Sequence, residues 1–351
     1  MTATPDPTDP GTATGPGTPT SPGTPTSPGT PTSPATPADA AHRPAGRTAR
    51  VTAVVVTFRP ETAATLALLA ALRPQVEHVV VVDNGSGQAT VDALGPGLGD
   101  TDALLALAEN QGIGAAQNLG IAWAREHGAE LVLLSDQDSL PAPDMVERLV
   151  AGLDRARREH PRVGGVGPVT VDHRNAGATL LFRAERWGPR RAPVPTEDGA
   201  LVPVVFLLAS GCLIPLDVLD AVGPLNEPWF IDHVDLEWGL RAGRLGYRLF
   251  GVAGAELAHS LGDRTVRIPG RERDVHVHSP VRNYYMVRNT VHLVRSGLLS
   301  PAWRLGYLAW ITKYTVFYAI AQRPRARRLG LMLRAFAHGI AGRTGPLRPP
   351  R

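Results

Sequence analysis

The chain has 351 residues, of which 43% are hydrophobic and 19% charged, so it can bury the core of one large domain or two smaller ones. Its one cysteine, Cys212, excludes an internal disulfide and is typical of proteins in a reducing compartment. The net charge is +4, but no aspartate or glutamate occurs from Val281 to Arg351. This asymmetry predicts a polyanionic partner, either a membrane surface or a phosphate-bearing substrate, and no nucleic-acid-binding motif accompanies it.

The first 48 residues are predicted to form a disordered tail. They contain the sequence Gly-Thr-Pro-Thr-Ser-Pro three times, starting at Gly17, Gly23 and Gly29. Proline, threonine, serine and glycine offer little apolar surface, so this segment has nothing to contribute to a core. It also has no apolar run of the kind found in signal peptides.

The first half of the chain alternates strands with helices. The predicted strands are apolar runs rich in β-branched residues, at Val51–Thr57, His78–Val82, Ala103–Ala108 and Leu131–Leu134. Helical periodicity occurs over Glu61–Leu72 and over about Gly114–His127. This alternation predicts an α/β fold in which a parallel sheet lies between two layers of helices.

The second half mixes both kinds of element and ends in helices. Strands are predicted at Val202–Leu208 and Tyr247–Val252, and helices at Val234–Leu245, Ser279–Ser296, Pro301–Gln322 and Arg325–Ile340. The longest uncharged apolar run, Leu201–Leu216, is too short to span a membrane, and Arg304 and Lys313 interrupt the helix after Pro301. We therefore predict no transmembrane helix.

The segment Asp136–Ser139 follows a buried strand and places two carboxylates one residue apart. Side chains at the carboxyl end of a strand can reach a ligand in the crevice above the sheet. Carboxylate oxygens suit Mg²⁺ or Mn²⁺, and these ions commonly hold substrate phosphates. The pattern favours a metal-bound nucleoside diphosphate, although a polar turn in which an aspartate caps a helix has the same sequence.

Polar or glycine-rich clusters follow all four predicted strands of the first half. They are Thr57–Pro60, Asp83–Ser86, Asn110–Gly114 and Asp136–Ser139. The carboxyl ends of parallel strands converge on one edge of a sheet, so these clusters are predicted to form one site. Asp83 could accept a hydrogen bond from the imide N–H of a pyrimidine base, and the glycines could let backbone approach a ribose or a phosphate.

From about Val51 to Gly345 the sequence resembles glycosyltransferase family 2, the inverting enzymes with a GT-A fold. Within that family it is most similar to bacterial enzymes that use dTDP-rhamnose. The segments that carry the resemblance are Asn110–Ile121, Leu134–Ser139, Ser210–Ile214, Phe230–Arg241 and Ser279–Asn289. The resemblance implies a GT-A catalytic domain at 49–262 with a mostly parallel sheet between helices. A basic helical region at 263–345 and a short tail at 346–351 would follow it.

The resemblance also implies roles for individual residues. Asp235 matches the general base, although an aspartate that opens a helix can also act only as a cap. The donor site would comprise Thr57, Arg59, Asp83, Asn110, Asp136, Arg282, Tyr285 and Arg288. Asp138 and His259 would hold Mg²⁺ or Mn²⁺, and Trp229 and Asp232 are candidate acceptor contacts.

The expected activity is inverting transfer of L-rhamnose from dTDP-L-rhamnose to a hydroxyl of a cell-envelope glycan or a lipid-linked acceptor. Two alternatives are another donor, such as UDP-galactofuranose or UDP-glucose, and a nucleotide-sugar-binding protein without catalysis. A nicotinamide dehydrogenase is disfavoured because no Gly-x-Gly-x-x-Gly follows the first strand. The sequence indicates no particular oligomeric state.

The acid-free C-terminal region predicts a cytoplasmic protein that binds the inner face of the plasma membrane peripherally. The predicted helix Pro301–Gln322 contains many aromatic and aliphatic residues but only two cations, so it could lie in the membrane interface. The arginines of Arg323–Arg328 would then face anionic lipid. The alternative is a helix pair that packs on the catalytic domain and leaves its arginines in solvent.

Overall fold

The structure, a computed structural model, describes residues 49–172, 178–259, 264–266 and 275–348. The predicted tail at 1–48 and the predicted domain boundary at 262–263 lie outside these residues. The strands are β1 (Val51–Thr57), β2 (His78–Asp83), β3 (Ala103–Ala106), β4 (Leu131–Asp136), β5 (Ser139–Pro141), β6 (Val163–Asp172), β7 (Ala178–Thr179), β8 (Phe182–Glu185), β9 (Gly188–Arg191), β10 (Leu201–Val204), β11 (Cys212–Pro215), β12 (Arg248–His259), β13 (Arg264–Val266) and β14 (Val275–Val277). The helices are α1 (Thr62–Leu72), α2 (Gln88–Leu94), α3 (Ile113–Glu126), α4 (Met145–Glu159), α5 (Leu216–Val222), α6 (Val234–Arg244), α7 (Pro280–Arg295), α8 (Pro301–Ala321) and α9 (Arg325–Ile340).

The main sheet is mixed, with the order β10-β12-β6-β11-β4-β1-β2-β3. Strands β3, β2, β1 and β4 run parallel, as their alternation with helices predicts. Strand β11 runs antiparallel to β4, which differs from the parallel sheet expected from the alternation. Strand β11 lies between β4 and β6 and is antiparallel to both, so the sheet is mixed rather than wholly parallel.

Helices cover both faces of the sheet, as predicted. Val54 and Val56 of β1 pack with α3, α5 and α6 on one face, whereas Ala53 and Val55 pack with α1, α2 and α4 on the other. Both sets of side chains are buried because the residues of a strand point alternately to its two faces. The result is a sheet whose polar groups can reach a ligand only where the strands end.

The C-terminal helices α7, α8 and α9 share a core of their own, built from Tyr284, Tyr285, Ile311, Tyr318 and Met332 among others. They also contact the rest of the fold. Trp303 and Tyr307 of α8 belong to the core on the α3 face of the sheet, and the Trp303 indole Nε1 donates to the carbonyl oxygen of Glu185 at 2.7 Å. The described residues from 49 onward belong to one compact unit.

Element bounds agree with the sequence prediction to within a few residues, apart from three strands. The predicted strand Val202–Leu208 is shorter, at Leu201–Val204, the strand predicted at Ala103–Ala108 ends at Ala106, and the strand predicted at Tyr247–Val252 continues to His259. Among the described residues, no helix has both the length and the hydropathy needed to cross a membrane.

Candidate active site

The first part of the site lies where β1 and β2 end side by side. The Thr57 hydroxyl donates to Asp83 Oδ1 at 3.0 Å, and the Ser86 amide donates to Asp83 Oδ2 at 2.8 Å. Asp83 is only 1% exposed, so this buried carboxylate is stabilised by two local donors. Each of its oxygens keeps a further lone pair with which it can accept another hydrogen bond.

Side chains from β2 and β4 hold the loop after β1. The Phe58 amide donates to Gln137 Oε1 and the Arg59 amide to Ser86 Oγ, each at 2.7 Å. Arg59 has a left-handed backbone, with φ of 48°, and its guanidinium lies 5.1 Å from the centre of the exposed Phe58 ring. Three of the four predicted clusters are therefore joined at one edge of the sheet.

The fourth cluster is joined to them through Asn84. Its Oδ1 accepts from the Gln111 amide at 2.9 Å, and its Nδ2 donates to the carbonyl oxygen of Gly112 at 3.2 Å. Asn110 is also near this edge, but its Oδ1 accepts the Gly112 amide of its own turn at 2.9 Å. At Gly85 the backbone of the following loop passes so closely that a Cβ would lie 2.5 Å from it, which explains the glycine.

A cavity of about 450 Å³ opens beside these loops. Its charged or titratable lining residues are Asp136, Cys212, Asp232, His233, Asp235, Arg282 and Tyr307. Apolar residues of the segment 206–209, with Leu225, Trp238 and others, form the deeper wall. A cavity with an apolar wall and a few convergent polar groups is the usual form of a small-molecule site.

Asp235 occupies the first turn of α6 and lines the cavity. Burial raises the pKa of its carboxyl to about 6, with a further increase from the nearby Asp136 and Asp232 carboxylates. The Leu236 amide donates to Asp235 Oδ1 at 2.8 Å and opposes part of this increase. A carboxylate whose pKa lies just below neutral pH is suited to act as a general base.

Asp232 and Arg282 form an ion pair in the same cavity. The Arg282 Nε lies 3.1 Å from Asp232 Oδ1, and the Asp232 side chain is 5% exposed. The other oxygen, Oδ2, is buried and accepts no hydrogen bond from the described residues. Such a buried acceptor is costly without a partner, so Asp232 is suited to receive a hydroxyl group of a ligand.

Sequence reasoning missed two residues that line the cavity, His233 and Tyr307. Desolvation lowers the pKa of His233 to about 4, so its imidazole is neutral, and its Nε2 lies 2.9 Å from Thr290 Oγ1. Burial raises the pKa of Tyr307, so its phenol is neutral too. His233 lies in the segment Phe230–Arg241 that carries the family resemblance, but no role was predicted for it, whereas Tyr307 belongs to no such segment and is brought to the site by helix α8.

The candidate metal ligands come from the loop after β4 and from β12. Asp136 ends β4, Asp138 follows two residues later, and the register of β5 and β12 places Ser139 opposite the backbone of His259. The side chain of His259 lies outside the described part of the structure. No three His, Cys, Asp or Glu side chains in that part are grouped closely enough to hold a metal ion alone. Two adjacent carboxylates fit a Mg²⁺ or Mn²⁺ site that substrate phosphates complete.

Of the predicted site residues, only Asp136, Asp232, Asp235 and Arg282 line the cavity. Thr57, Arg59, Asp83, Asn110 and Asp138 lie at the strand ends and in the loops outside its lining, and three further residues are buried elsewhere. Tyr285 and Arg288 are buried where α7 meets the C-terminal end of the chain, and Trp229 is buried in the core on the α3 face. The Tyr285 hydroxyl accepts from the Leu347 amide at 2.7 Å, and the Arg288 guanidinium donates to main-chain carbonyls. The structure therefore does not bring Tyr285 and Arg288 to the donor pocket, because their polar groups are used inside the protein.

The sequence is similar to those of known glycosyltransferases. Residues 53–195 match the model of glycosyl transferase family 2. Over 297 residues the chain is 30% identical to the dTDP-rhamnosyl transferase RfbF of Shigella flexneri. The aligned region covers 84% of this chain and 97% of that protein. It is 29% identical to the galactofuranosyltransferase GlfT1 of Mycobacterium tuberculosis, over 81% of this chain and 96% of that one. It is also 26% identical to an N-acetylglucosaminyl-diphospho-decaprenol L-rhamnosyltransferase of the same organism, over 64% and 80%.

A solved structure has the same fold. The crystal structure of GalNAc-T7 with UDP, GalNAc and Mn²⁺ superposes with a TM-score of 0.54 at 13% identity, over 84% of this chain and 56% of that chain. This similarity concerns the fold alone and confirms the predicted GT-A architecture. The chain is 30% identical to one relative over nearly the whole length of that relative. The protein therefore belongs to glycosyl transferase family 2 and is a glycosyltransferase.

Proposed function

We propose that the protein transfers L-rhamnose, with inversion, from dTDP-L-rhamnose to a hydroxyl of a cell-envelope glycan or a lipid-linked acceptor. The observation that carries this proposal is that Asp136, at the end of β4, and Asp235, with its raised pKa, line one cavity. The sugar and nucleotide are taken from the similarity to the Shigella flexneri dTDP-rhamnosyl transferase.

The proposed reaction uses Asp235 as the base. Its carboxylate takes the proton of the acceptor hydroxyl, the hydroxyl oxygen attacks the anomeric carbon, and the bond from that carbon to the diphosphate oxygen breaks. From a β-linked donor the product is an α-rhamnoside, dTDP leaves, and Asp235 retains the proton. Asp232 Oδ2 is the proposed acceptor for a hydroxyl of the incoming glycan, and Arg282 is the proposed contact of the donor phosphates.

Nucleotide recognition is assigned to the loops after β1 and β2. The free lone pairs of Asp83 are the proposed acceptors for the imide N–H of thymine, with Thr57 and Ser86 holding the carboxylate in place. Arg59 and the exposed ring of Phe58 flank this position. We assign Asp138 and His259, together with Asp136, to Mg²⁺ or Mn²⁺, a cation that would offset the charge on the departing diphosphate.

The donor is tested by titration and turnover. Isothermal titration in Mg²⁺ is expected to rank dTDP at or above UDP and far above GDP, because the two-ring purine is larger than the pyrimidine proposed to bind at Asp83. Incubation with dTDP-L-rhamnose is expected to release dTDP slowly alone and faster with a lipid-linked acceptor. Thymine and uracil differ by one methyl group, worth only about 1 kcal/mol in an apolar pocket, so turnover decides between them.

A second donor has support from the comparisons. The galactofuranosyltransferase relatives are 29% identical to the chain over 96% of their own length. Robust turnover of UDP-galactofuranose, with none of dTDP-L-rhamnose, would replace rhamnose as the transferred sugar. Nucleotide binding without turnover of any donor or acceptor would instead favour a protein that only binds nucleotide sugars.

We propose also that α8 and α9 bind the inner face of the plasma membrane. Leu305, Leu308, Val316 and Ile320 of α8 are exposed, and so are Leu329, Leu333 and Ile340 of α9. Their spacing puts the α8 side chains on the face opposite Trp303, Tyr307 and Ile311, which are buried. Trp303 and Tyr307 therefore do not face lipid, contrary to the simple expectation for an interfacial helix, whereas Trp310 is exposed.

Exposed cations flank this apolar face. Arg304 and Lys313 lie on α8, and Arg325 and Arg327 lie at the start of α9. Arg328 does not belong to this group, because it is buried and its Nη1 donates to the carbonyl oxygen of His278 at 2.7 Å. An apolar face flanked by cations is complementary to an anionic bilayer surface.

Vesicle co-sedimentation tests the membrane proposal. The protein is expected to bind vesicles containing phosphatidylglycerol, more weakly as salt rises, and to bind phosphatidylcholine vesicles poorly. Replacing Val316 and Ile320 by serine is expected to weaken binding about thirty-fold or more, since each apolar side chain contributes about 1 kcal/mol or more and about 1.4 kcal/mol corresponds to a factor of ten. The matched control is Leu245→Ser, which removes an equally exposed apolar side chain of another surface. Equal loss in both variants, or no binding to either vesicle, would contradict the proposal.

A further inference from the structure

The segment that leads into the proposed base has an unusual backbone. Phe230, Asp232 and His233 are not glycines, yet their φ angles are 69°, 64° and 63°. Left-handed backbone at such residues costs energy and persists only where neighbouring contacts impose it. Asp232 and His233 line the cavity, and α6 with Asp235 begins directly after them. The contacts that hold this segment therefore determine where the polar groups of the site lie.

Asn289 of α7 supplies one set of these contacts. Its Nδ2 lies 2.9 Å from the carbonyl oxygen of Trp229, 2.6 Å from that of Ile231 and 3.1 Å from that of Asp232. The Asn289 side chain is fully buried, so one amide group satisfies carbonyls on both sides of Phe230. We call residues 229–233 the catalytic loop.

Arg288 supplies the second set. Its Nη2 donates to the carbonyl oxygen of Trp229 at 2.8 Å, and its Nε donates to Asn289 Oδ1 at 3.0 Å. The bond to Oδ1 orients the Asn289 amide so that its Nδ2 faces the loop carbonyls. The remaining nitrogen, Nη1, donates to the carbonyl oxygen of Gly345 at 2.6 Å. Arg288 is 1% exposed and thus connects the catalytic loop to the chain beyond α9.

The chain beyond α9 returns to the same place. We call Arg343–Arg348 the C-terminal strap. The Gly345 amide donates to the carbonyl oxygen of Pro228, and the Leu347 amide donates to the Tyr285 hydroxyl, both at 2.7 Å. The Gly345 amide therefore holds Pro228, the residue directly before the catalytic loop, and the Gly345 carbonyl is linked through Arg288 to Trp229, the first residue of the loop.

We propose that the C-terminal strap, acting through Arg288 and Asn289, positions the catalytic loop for the transfer step. Arg288, Asn289 and Tyr285 are positioning residues that touch neither donor nor acceptor. Without the strap, Arg288 no longer donates to the Gly345 carbonyl, and the Pro228 carbonyl no longer accepts from the Gly345 amide. The catalytic loop then relaxes towards ordinary backbone angles, which moves Asp232 and turns the start of α6. This inference rests on the proposed role of Asp235 as the base.

The test is a truncation that ends at Gly342, compared with a matched truncation that ends at Arg348. The shorter protein is expected to lose about ten-fold to a hundred-fold in kcat, since small misplacements of catalytic groups have effects of this size. KM for the donor and Kd for dTDP are expected to stay within about two-fold, because the loops after β1 and β2 are untouched. The control truncation is expected to keep full activity.

Tyr285→Phe provides a milder variant, because it removes only the hydroxyl that accepts the Leu347 amide. It is expected to lower kcat by about two-fold to five-fold, in the range of one lost hydrogen bond. Activities are expressed per folded molecule, measured by near-UV circular dichroism and size-exclusion chromatography. An unchanged kcat in the Gly342 truncation, or equal losses in kcat and in dTDP affinity, would overturn the proposal.

Failure of the proposed donor is distinguishable from failure of this inference. If the full chain turns over UDP-galactofuranose instead of dTDP-L-rhamnose, the same comparison is made with that donor and with UDP. If the full chain is active and the Gly342 truncation is equally active, the proposed role of the strap is wrong, and the proposed function is unaffected. A full chain that binds nucleotide but transfers no sugar, and whose Asp235→Asn variant behaves identically, counts against the proposed function.

Discussion

Asp235→Asn is expected to lower the rate of sugar transfer by about a thousand-fold at pH 7.5, within the range typical of a lost general base. Asparagine keeps the shape of the side chain and can still accept from the Leu236 amide, but it cannot take the acceptor proton. Binding of dTDP is expected to change little, because Asp235 lies apart from the loops after β1 and β2. The measurement is dTDP release with acceptor, beside titration of dTDP.

The same substitution is expected to stabilise the fold at neutral pH. Burial raises the pKa of Asp235 to about 6 from an ordinary value of 3.8, so ionisation of this group opposes folding above pH 6. Below the ordinary pKa the carboxyl is protonated in both the folded and the unfolded chain, and the penalty disappears. Asp235→Asn should therefore raise Tm by about 2 to 5 °C at pH 7.5, with the difference shrinking as pH falls towards 4.

The pH dependence of the wild-type rate should also reflect the raised pKa of Asp235. We expect kcat/KM to decrease as the pH falls below about 6, since only the carboxylate form of Asp235 accepts a proton. Asp217→Asn is the matched control, because Asp217 is an exposed aspartate in the first turn of α5. Near-normal turnover of Asp235→Asn, or an equal loss in Asp217→Asn, would show that Asp235 is not the base.

Asp138→Asn is expected to remove the dependence of donor binding on divalent cation. In wild-type protein, chelation with EDTA should weaken dTDP binding by on the order of a hundred-fold, because an uncompensated diphosphate would face Asp136 and Asp235. Asp138→Asn in Mg²⁺ should resemble wild-type protein in EDTA, since an amide oxygen is a weaker ligand than a carboxylate. Titration of dTDP with and without Mg²⁺ measures both effects.

Asp92→Asn is the control for this substitution. Asp92 is exposed on α2, and its one side-chain hydrogen bond within the described part of the structure is accepted from Gln88. If Asp138→Asn binds dTDP with the same Mg²⁺ dependence as wild-type protein, the metal ligand lies elsewhere. If EDTA leaves both binding and turnover of the wild-type protein unchanged, the protein works without a divalent cation, and the donor phosphates are neutralised by cationic side chains such as Arg282.

The sequence alone predicted the four parallel strands of the first half and the helices α1 and α3, because their physical causes are local, but it did not predict α2 or α4. Runs such as Val51–Thr57 are β-branched and apolar along their whole length, which suits a strand covered on both faces. The turns after them are marked by Asp, Asn and Gly, so the converging strand ends, and with them Asp83 and Asp136, could be predicted. The family resemblance added Asp235, which a helix-capping interpretation explained equally well.

Tertiary structure decided which faces are covered and which polar groups are already used. Helical periodicity shows that Tyr307 and Ile311 share a face of α8, but both faces of that helix are apolar, so only its neighbours determine which is buried. Arg288 looks like a phosphate ligand in sequence, yet its donors are taken by the carbonyls of Trp229 and Gly345. Likewise His233 lines the cavity with a left-handed backbone, at a φ of 63°, which no local sequence pattern predicts for a histidine.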